Sequence, residues 1–269
     1  MNLHDRVVVV TGAGSGIGRA TALAFAKRGA RIAACDVDQA RLDSLRAELG
    51  DRALVVARVD VSDRAQMSGF AGQVHAACPA ADVVVNNAGV AVGGSFLDTS
   101  LDDWDWVVKI NLLGVVHGCH FFVPNMVEAK QGGHVVNISS IFGIYPATQT
   151  SAYVATKFAV RGFSLSLRDE LAPHRIGVTA ICPGMIATEI VKDGRMSGQI
   201  DGERKHKMTK LFARRGLPPA NVADAILAAV ETNPAVRTVG RDARMLAALT
   251  RLAPNSVTKL GSTLARRFL

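Results

Sequence analysis

RVVVVTGAGSGIGRATALAFAKRG, residues 6–29, changes character twice within 24 residues. RVVVVTG (6–12) is an unbroken run of β-branched residues, the pattern of a strand buried on both faces. From Gly16 to Gly29, Ile17, Ala20, Leu23, Ala24 and Ala26 supply an apolar stripe at helical spacing. Between the two, Gly12, Gly16 and Gly18 let the backbone turn tightly and come close to whatever sits at the helix start. The exposed N–H groups of a helix N-terminus favour an anion, so this strand, turn and helix suit a pyrophosphate. The spacing G-x-x-x-G-x-G departs from the commoner G-x-G-x-x-G, and a glycine-rich turn alone is weak evidence for a ligand.

The same alternation continues outward from this unit. RIAACDV, ALVVARVDV, DVVVNNAG, GHVVNISS and GVTAICPG begin at 31, 53, 82, 133 and 177, and AVRTVG occupies 235–240, which makes seven strands. Helical-period stretches fill the gaps at about 38–49, 63–77, 101–129 and 152–172. Strands alternating with helices require right-handed crossovers, which produce a parallel sheet covered on both faces. The expected fold is therefore α/β, a Rossmann-type doubly wound seven-stranded parallel sheet of order 3-2-1-4-5-6-7, with residues 1–240 forming one domain. Such sheets bind ligands beyond the C-terminal ends of their strands, so the polar residues found there carry the functional question.

Asp36 ends the second strand, eighteen residues past Gly18. A carboxylate there can accept both ribose hydroxyls of an adenosine and repels a 2′-phosphate, and no arginine or lysine stands at 15 or 37, so NAD is favoured over NADP. Asp60 and Val61 end the third strand, where they could take the amino group and the ring face of an adenine. NNAG (86–89) ends the fourth, and its small residues leave room for a dinucleotide to lie across the sheet. Tyr153 is one of two tyrosines, and Lys157 follows it by four, which puts both on one helix face. Alone, that pair is ordinary.

In combination, TGAGSGIG (11–18), Asp60 and Val61, NNAG (86–89), the asparagine of KINLLG (109–114), the serine of NISSIFG (137–143), YVATK (153–157) and PGMIAT (183–188) resemble the classical short-chain dehydrogenase/reductase family. Their order and spacing match over residues 5 to about 240. The resemblance implies an NAD(H)-dependent oxidoreductase that moves a hydride between nicotinamide and a secondary alcohol or ketone. It implies a catalytic tetrad of Asn111, Ser140, Tyr153 and Lys157. Ser140 is chosen over Ser139 because the family's serine lies thirteen before the tyrosine and three before a glycine, here Gly143.

In that reading Tyr153 is the general acid/base, and Lys157 supplies the positive charge that brings its pKa down from the ordinary value of about 10 towards neutrality. Ser140 holds the substrate oxygen, and Asn111 holds a water that connects Lys157 to solvent. The resemblance further places Gly12, Ser15, Gly16, Ile17 and Gly18 on the pyrophosphate, and Asn87, Ala88 and Gly89 beneath the dinucleotide. Pro183, Gly184, Ile186 and Thr188 frame the nicotinamide, with the Ile186 backbone and the Thr188 hydroxyl on its carboxamide. The intact tetrad argues against the alternative, a dinucleotide-binding sensor or scaffold without turnover. Dehydratases and epimerases generally go with other motif arrangements.

Specificity is expected in VAVGGS (90–95), IFGIYPATQT (141–150) and a lid over about 185–215. Val92, Phe142, Ile144, Tyr145 and Met185 make an apolar pocket and a moderately hydrophobic substrate the expectation. Assembly as a homodimer or homotetramer through the helices at 101–129 and 152–172 is what the resemblance implies.

The formal net charge of +8 is concentrated: residues 185–215 carry eight basic and four acidic side chains and residues 241–269 six and one, so the remainder is near neutral. With no recognition motif and few aromatics, nucleic acid is not an expected partner. The residues after AVRTVG extend beyond the end of many family members and read as a basic amphipathic helical extension, 241–269. One helix would put Met245, Leu246, Leu249 and Leu252 on a face and, after Pro254, a second would align Val257, Leu260, Leu264 and Phe268. Packing on a partner subunit or over the substrate pocket is preferred for this tail to contact with an anionic membrane. The widely spaced cysteines and scattered histidines suit reduced thiols and no metal site. No signal peptide is visible, and the apolar run 112–126 is too short to span a bilayer, so a cytoplasmic location is expected.

Overall fold

The computed structural model describes residues 2–198, 200 and 202–252. The chain opens with β1 (Val7–Thr11), α1 (Gly16–Lys27), β2 (Arg31–Asp36), α2 (Gln39–Leu49), β3 (Ala53–Arg58), α3 (Arg64–Ala77) and β4 (Val83–Asn86). A two-residue strand β5 (Val92–Gly93) precedes α4 (Leu101–Val108), a π-helical turn (Lys109–Leu113) and α5 (Gly114–Ala129). Then come β6 (Gly133–Ile138), a short 3-10 turn (Ile141–Gly143), α6 (Ser151–Leu171) and β7 (Ile176–Pro183). The remainder holds α7 (Ile190–Asp193), β8 (Arg195–Met196), α8 (Gly202–Arg215), α9 (Pro219–Thr232), β9 (Val236–Val239) and α10 (Arg241–Leu252).

Among the described residues, seven strands form one sheet in the order β3-β2-β1-β4-β6-β7-β9, every pairing parallel. This is the expected order, once β5 and β8, which pair only with each other, are set aside. Alternation along β1 sends Val8 and Val10 into one buried layer with Phe25 of α1 and Ile226 of α9. It sends Val7 and Val9 into the other, with Phe70 of α3 and Phe122 of α5. Both faces are thus filled, which is why the strands read as continuous apolar runs.

Three local outcomes depart from the periodicity. The alternation read from the sequence leaves residues 216–234 without an element, whereas Pro219 opens α9, which packs on α1 and completes one layer. The stretch 101–129 is not one regular α-helix, because the π turn interrupts it around Asn111. The apolar helical segment Leu101–Ala129 is also long and apolar enough to cross a bilayer by composition, but 44% of its most apolar window is buried inside the fold.

The C-terminal extension begins with α10; of the expected face, Met245, Leu249 and Leu252 are turned outward, at 64, 43 and 82% exposure, while Leu246 is half-buried. Most of that face is thus left uncovered among the described residues. The helix is held instead by buried Ala243 and by Asp242, whose Oδ2 accepts from the Met185 N–H at 3.0 Å. The second expected tail helix, Val257 to Phe268, lies outside the described residues.

Candidate active site and dinucleotide crevice

Sheet order reverses between β1 and β4, and a crevice opens beyond their C-terminal ends. Its floor is the glycine turn. Gly12 has φ +63°, a region that residues with a Cβ rarely adopt, and a Cβ on Gly18 would collide with the Gly12 carbonyl oxygen. Asn87 braces the turn from β4: its Nδ2 donates to Thr11 O at 2.9 Å and to Gly12 O at 3.1 Å. Thr11 Oγ1 accepts from the Asn87 and Ala88 N–H groups at 3.0 and 3.1 Å. Asn87, expected among the cofactor ligands, thus has its side-chain donors committed to shaping the turn.

Ser15 precedes α1 without making a side-chain cap, and the N–H groups of Gly16, Ile17 and Gly18 in the first turn have no intrahelical acceptor. Thr188 approaches this helix start, close enough that a Cβ on Gly16 would stand 3.1 Å from its Cγ2. The segment carrying Thr188 is pinned from several sides. Gly184 N–H donates to Val239 O at 2.8 Å, Ala187 N–H to Leu217 O at 2.9 Å, and Thr188 N–H to Ile186 O at 2.9 Å. The Ile186 side chain is buried in the core, so only its backbone can serve a ligand, and Pro183 ends β7 directly upstream.

At the adenosine end, Asp36 Oδ2 accepts from Gly14 N–H at 2.9 Å and Oδ1 from Asp38 N–H at 3.0 Å. The exposed apolar side chain there is Val37, 57% exposed. Asp60 Oδ1 accepts from the Ser62 N–H and hydroxyl at 2.9 and 2.7 Å. Val61 is buried, and its Cγ2 lies where a Cβ on Gly114 would strike it. The expectation that Val61 offers a face to the adenine ring is therefore corrected: its side chain is packed under α5, its carbonyl lies 2.8 Å from His117 Nδ1, and its N–H is what remains for a ligand. A cleft of about 780 Å³ runs past Gly14, Ser15, Gly16, Arg41, Thr188 and Glu189, and Tyr153 is not part of its wall. A glycine floor with no room for side chains, open helix N–H groups and a ribose-side carboxylate fit a nicotinamide dinucleotide.

The proposed chemistry sits further along, where α6 crosses the end of β6. A buried chain fixes that crossing: Asn86 Nδ2 donates to Asn137 Oδ1 at 2.8 Å, Asn137 Nδ2 to Ser164 Oγ at 3.0 Å, and Ser164 Oγ to Val160 O at 2.6 Å. Ser139 is buried and donates to Lys157 O at 2.7 Å, a structural role beside Ser140. Lys157 Nζ donates to Ile138 O at 3.0 Å and lies 5.6 Å from the centre of the Tyr153 ring. Ser140 Oγ accepts from Phe142 N–H at 3.1 Å, and the Phe142 ring stands edge-on to Tyr153 at 6.4 Å and 89°.

Desolvation pushes the Tyr153 phenol up to about 12, partly offset by a hydrogen bond with Ser140. Desolvation pushes Lys157 down to about 8, with Cys182 acting the other way. At Tyr153, desolvation thus outweighs the Ser140 hydrogen bond.

Asn111 lies in the π turn, and its Oδ1 accepts from Val90 N–H at 2.8 Å. Its Nδ2 donates to Val90 O at 2.9 Å and to Thr156 Oγ1 at 3.3 Å, and Thr156 Oγ1 donates to Tyr153 O at 2.8 Å. A Cβ on Gly89 would stand 3.2 Å from Asn111 Oδ1 and 3.4 Å from Lys157 Nζ, so the bare Gly89 leaves a small hollow between amide and ammonium. Asn111, Ser140, Tyr153 and Lys157 are thus brought to one end of the sheet.

Phe142, Ile144, Tyr145 and Met185 are half-buried, Phe142 against Tyr153, but Val92 is not pocket wall. It is buried at 3% exposure with Val107 and Ala152, in a cluster that also takes in Trp104, Trp106 and Tyr153. The segment 185–215, expected to act as a lid, is anchored by the β5–β8 pairing and by Arg195, which lies 4.1 Å from the centre of the Trp106 ring and pairs with Asp103 at 3.1 Å. Motif reading missed Val37, Arg41, Glu189 and Asp242. A cation five residues after Asp36, in the first turn of α2, was a usable signal for Arg41; the position of Asp242 in the sequence gives none.

A model of the short chain dehydrogenase family matches residues 6–197. Among curated proteins, EphD of Mycobacterium tuberculosis, named as a probable oxidoreductase, is 42% identical over 261 residues. That match takes in 94% of this chain but 44% of EphD, so the chain spans less than half the length of this relative. SadH of the same organism, also named as an oxidoreductase, is 35% identical over 266 residues, 96% of this chain and 95% of SadH. Among solved structures, a short chain dehydrogenase/reductase from Burkholderia phymatum in complex with NAD superposes with a TM-score of 0.86 at 28% identity, covering 93% of this chain and 94% of that one.

Proposed function

This chain belongs to the short chain dehydrogenase family of oxidoreductases, and from that premise we propose that it is an NAD(H)-dependent dehydrogenase/reductase acting on a secondary alcohol or ketone. The single observation that carries the reading is the convergence of Ser140, Tyr153 and Lys157 at the end of β6, beside the hollow left by Gly89. Bound nicotinamide would supply or accept the hydride. Gly12, Ser15, Gly16, Ile17 and Gly18 would hold its pyrophosphate, Asp36 its adenosine ribose, and the Ile186 backbone and Thr188 its carboxamide.

The chain's own residues then have distinct tasks. Ser140 holds the substrate oxygen against the Tyr153 hydroxyl, so that the proton travels one hydrogen bond. Tyr153 donates that proton to a carbonyl oxygen in reduction and takes it from a hydroxyl in oxidation. Lys157 stabilises the phenolate, yet burial already opposes charge on both groups. The favourable pairing of phenolate with ammonium must offset that cost, and a further positive charge nearby would assist. Phe142 and the Trp104/Trp106 cluster pack around the ring and keep it in place. Half-buried Phe142, Ile144, Tyr145 and Met185 favour a moderately hydrophobic substrate.

We place the subunit contacts of a homodimer or homotetramer on the helical stretches 101–129, which span α4 to α5, and 152–172, which α6 covers. The test of the whole reading is NAD⁺ reduction by a panel of secondary alcohols, with NADP⁺ and charged sugars as controls. Wild type should turn over apolar alcohols with NAD⁺, and Tyr153→Phe should lose about 10²–10⁴-fold in kcat at an unchanged melting temperature. Undiminished turnover in that variant overturns the mechanism, and turnover of sugars alone overturns the substrate class.

A further inference from the structure

Arg41 puts a cation at the rim of the ribose site, although positions 15 and 37 carry none. A Cβ on Gly14 would stand 2.9 Å from Arg41 Cβ and 2.9 Å from Asp36 Cγ, so the stem of the arginine and the carboxylate flank the same bend of the glycine turn. The guanidinium, however, is engaged elsewhere. Its Nε lies 3.2 Å from Asp38 Oδ2, its Nη2 2.8 Å from Glu189 Oε2 and its Nη1 3.9 Å from Asp193 Oδ2. Asp38 caps the arginine's own helix, while Glu189 and Asp193 come from the segment after Thr188. Lys192 holds Glu189 in turn, at 2.7 Å. Each of these half-exposed pairs is weak when taken singly. Together they give every nitrogen of one planar fork a carboxylate and so fix its direction.

A guanidinium is a strong partner for a phosphate, which it can bind through two parallel hydrogen bonds. An arginine at this rim with free donors would compensate the repulsion between Asp36 and a 2′-phosphate. We propose that Arg41 is a specificity-determining residue for the cofactor, held off the 2′ position of the adenosine ribose by Asp38, Glu189 and Asp193. NAD is then selected by two features: the carboxylate of Asp36, and the acidic residues that keep the nearby cation occupied. This rests on the reading that NAD(H) occupies this cleft, and extends it from Asp36 to the segment after Thr188.

The test is calorimetric titration of NAD⁺ and NADP⁺ at low ionic strength into wild type, E189Q/D193N, R41A and the triple variant, with melting temperatures as the check on folding. E189Q/D193N should lower the ratio of the NADP⁺ to the NAD⁺ dissociation constant by about fivefold or more. Adding R41A to that pair should bring the ratio back to within about twofold of wild type, and R41A alone should leave it there. Using the ratio cancels the gain that any dinucleotide makes when two negative charges are removed near its pyrophosphate. An unchanged ratio in E189Q/D193N overturns the proposal, as does a fall that survives R41A. Wild type that binds neither dinucleotide overturns the cofactor reading as well, whereas tight NAD⁺ binding with an unresponsive ratio overturns only the role of Arg41.

Discussion

The residue that sets the energetics of this site is Lys157, a buried cation whose carbonyl partner Ile138 O lies at 3.0 Å and carries no formal charge. Its pKa in the fold, about 8, lies below the ordinary lysine value near 10.5. Between those values the unfolded chain binds more protons than the folded one, so stability rises with pH across that window. Below about 8 the full cost of the buried charge applies, on the order of 3 kcal/mol. Tyr153 works in the opposite sense at higher pH: with its pKa raised to about 12, the fold keeps a proton that the unfolded chain loses, and stability falls above about 10. The buried thiols of Cys35, Cys78, Cys119 and Cys182 are pushed up in the same way and pull stability down above about 9. Between pH 8 and 10 the urea-unfolding midpoint of wild type should therefore fall less steeply than that of Lys157→Met, which keeps the stem and removes the ammonium. Equal slopes in the two would mean that Lys157 does not carry the linkage. The same balance explains why the Tyr153 and Lys157 pair is uninformative when read alone, since spacing puts the side chains together but says nothing of the burial that works against both charges.

At the scale of elements, the π turn and α10 do what regular periodicity does not announce. KINLLG reads as uninterrupted helix because its apolar residues keep near-helical spacing. The extra residue per turn shows only in the backbone, where it lets Asn111 reach both Val90 and Thr156. α10 reads as an amphipathic tail, yet its first turn reaches the segment 184–188 that we propose frames the nicotinamide end. Asp242 Oδ2 accepts from Met185 N–H at 3.0 Å, and its carboxylate lies where a Cβ on Gly184 would collide with it. Asp242→Ala should loosen the segment 184–188 and raise the NAD⁺ dissociation constant about three- to tenfold, with a stability loss of no more than about 1 kcal/mol, because water reaches the exposed amide. Asp242→Asn, which keeps a carbonyl acceptor, should recover most of the affinity. Titration calorimetry of both variants checks this, and equal losses in the two would assign the effect to charge rather than to the hydrogen bond.

Across the whole molecule, the sheet concentrates the proposed dinucleotide and tetrad residues at one end and leaves Met245, Leu249 and Leu252 of α10 facing outward, with Arg241, Arg244 and Arg251 also exposed on that helix. An exposed apolar stripe of this kind marks a contact surface, and a partner subunit remains the preferred occupant over an anionic membrane. Replacing Met245, Leu249 and Leu252 together by glutamate should shift light-scattering mass towards a smaller assembly. If mass stays constant while sedimentation with anionic liposomes is lost, the membrane reading is the correct one.

Strand and helix alternation, the glycine turn, Asp36 at a strand end and the tyrosine–lysine spacing are legible in the chain, because each depends on residues near one another along it. The closed fold is what turns Val61 and Val92 into packing, sets Asn87 to brace the turn and anchors α10 through Asp242. It alone brought Arg41 to Glu189 across 148 residues. Such contacts depend on which surfaces remain to be filled once the sheet has closed, and neighbours along the chain carry no record of them.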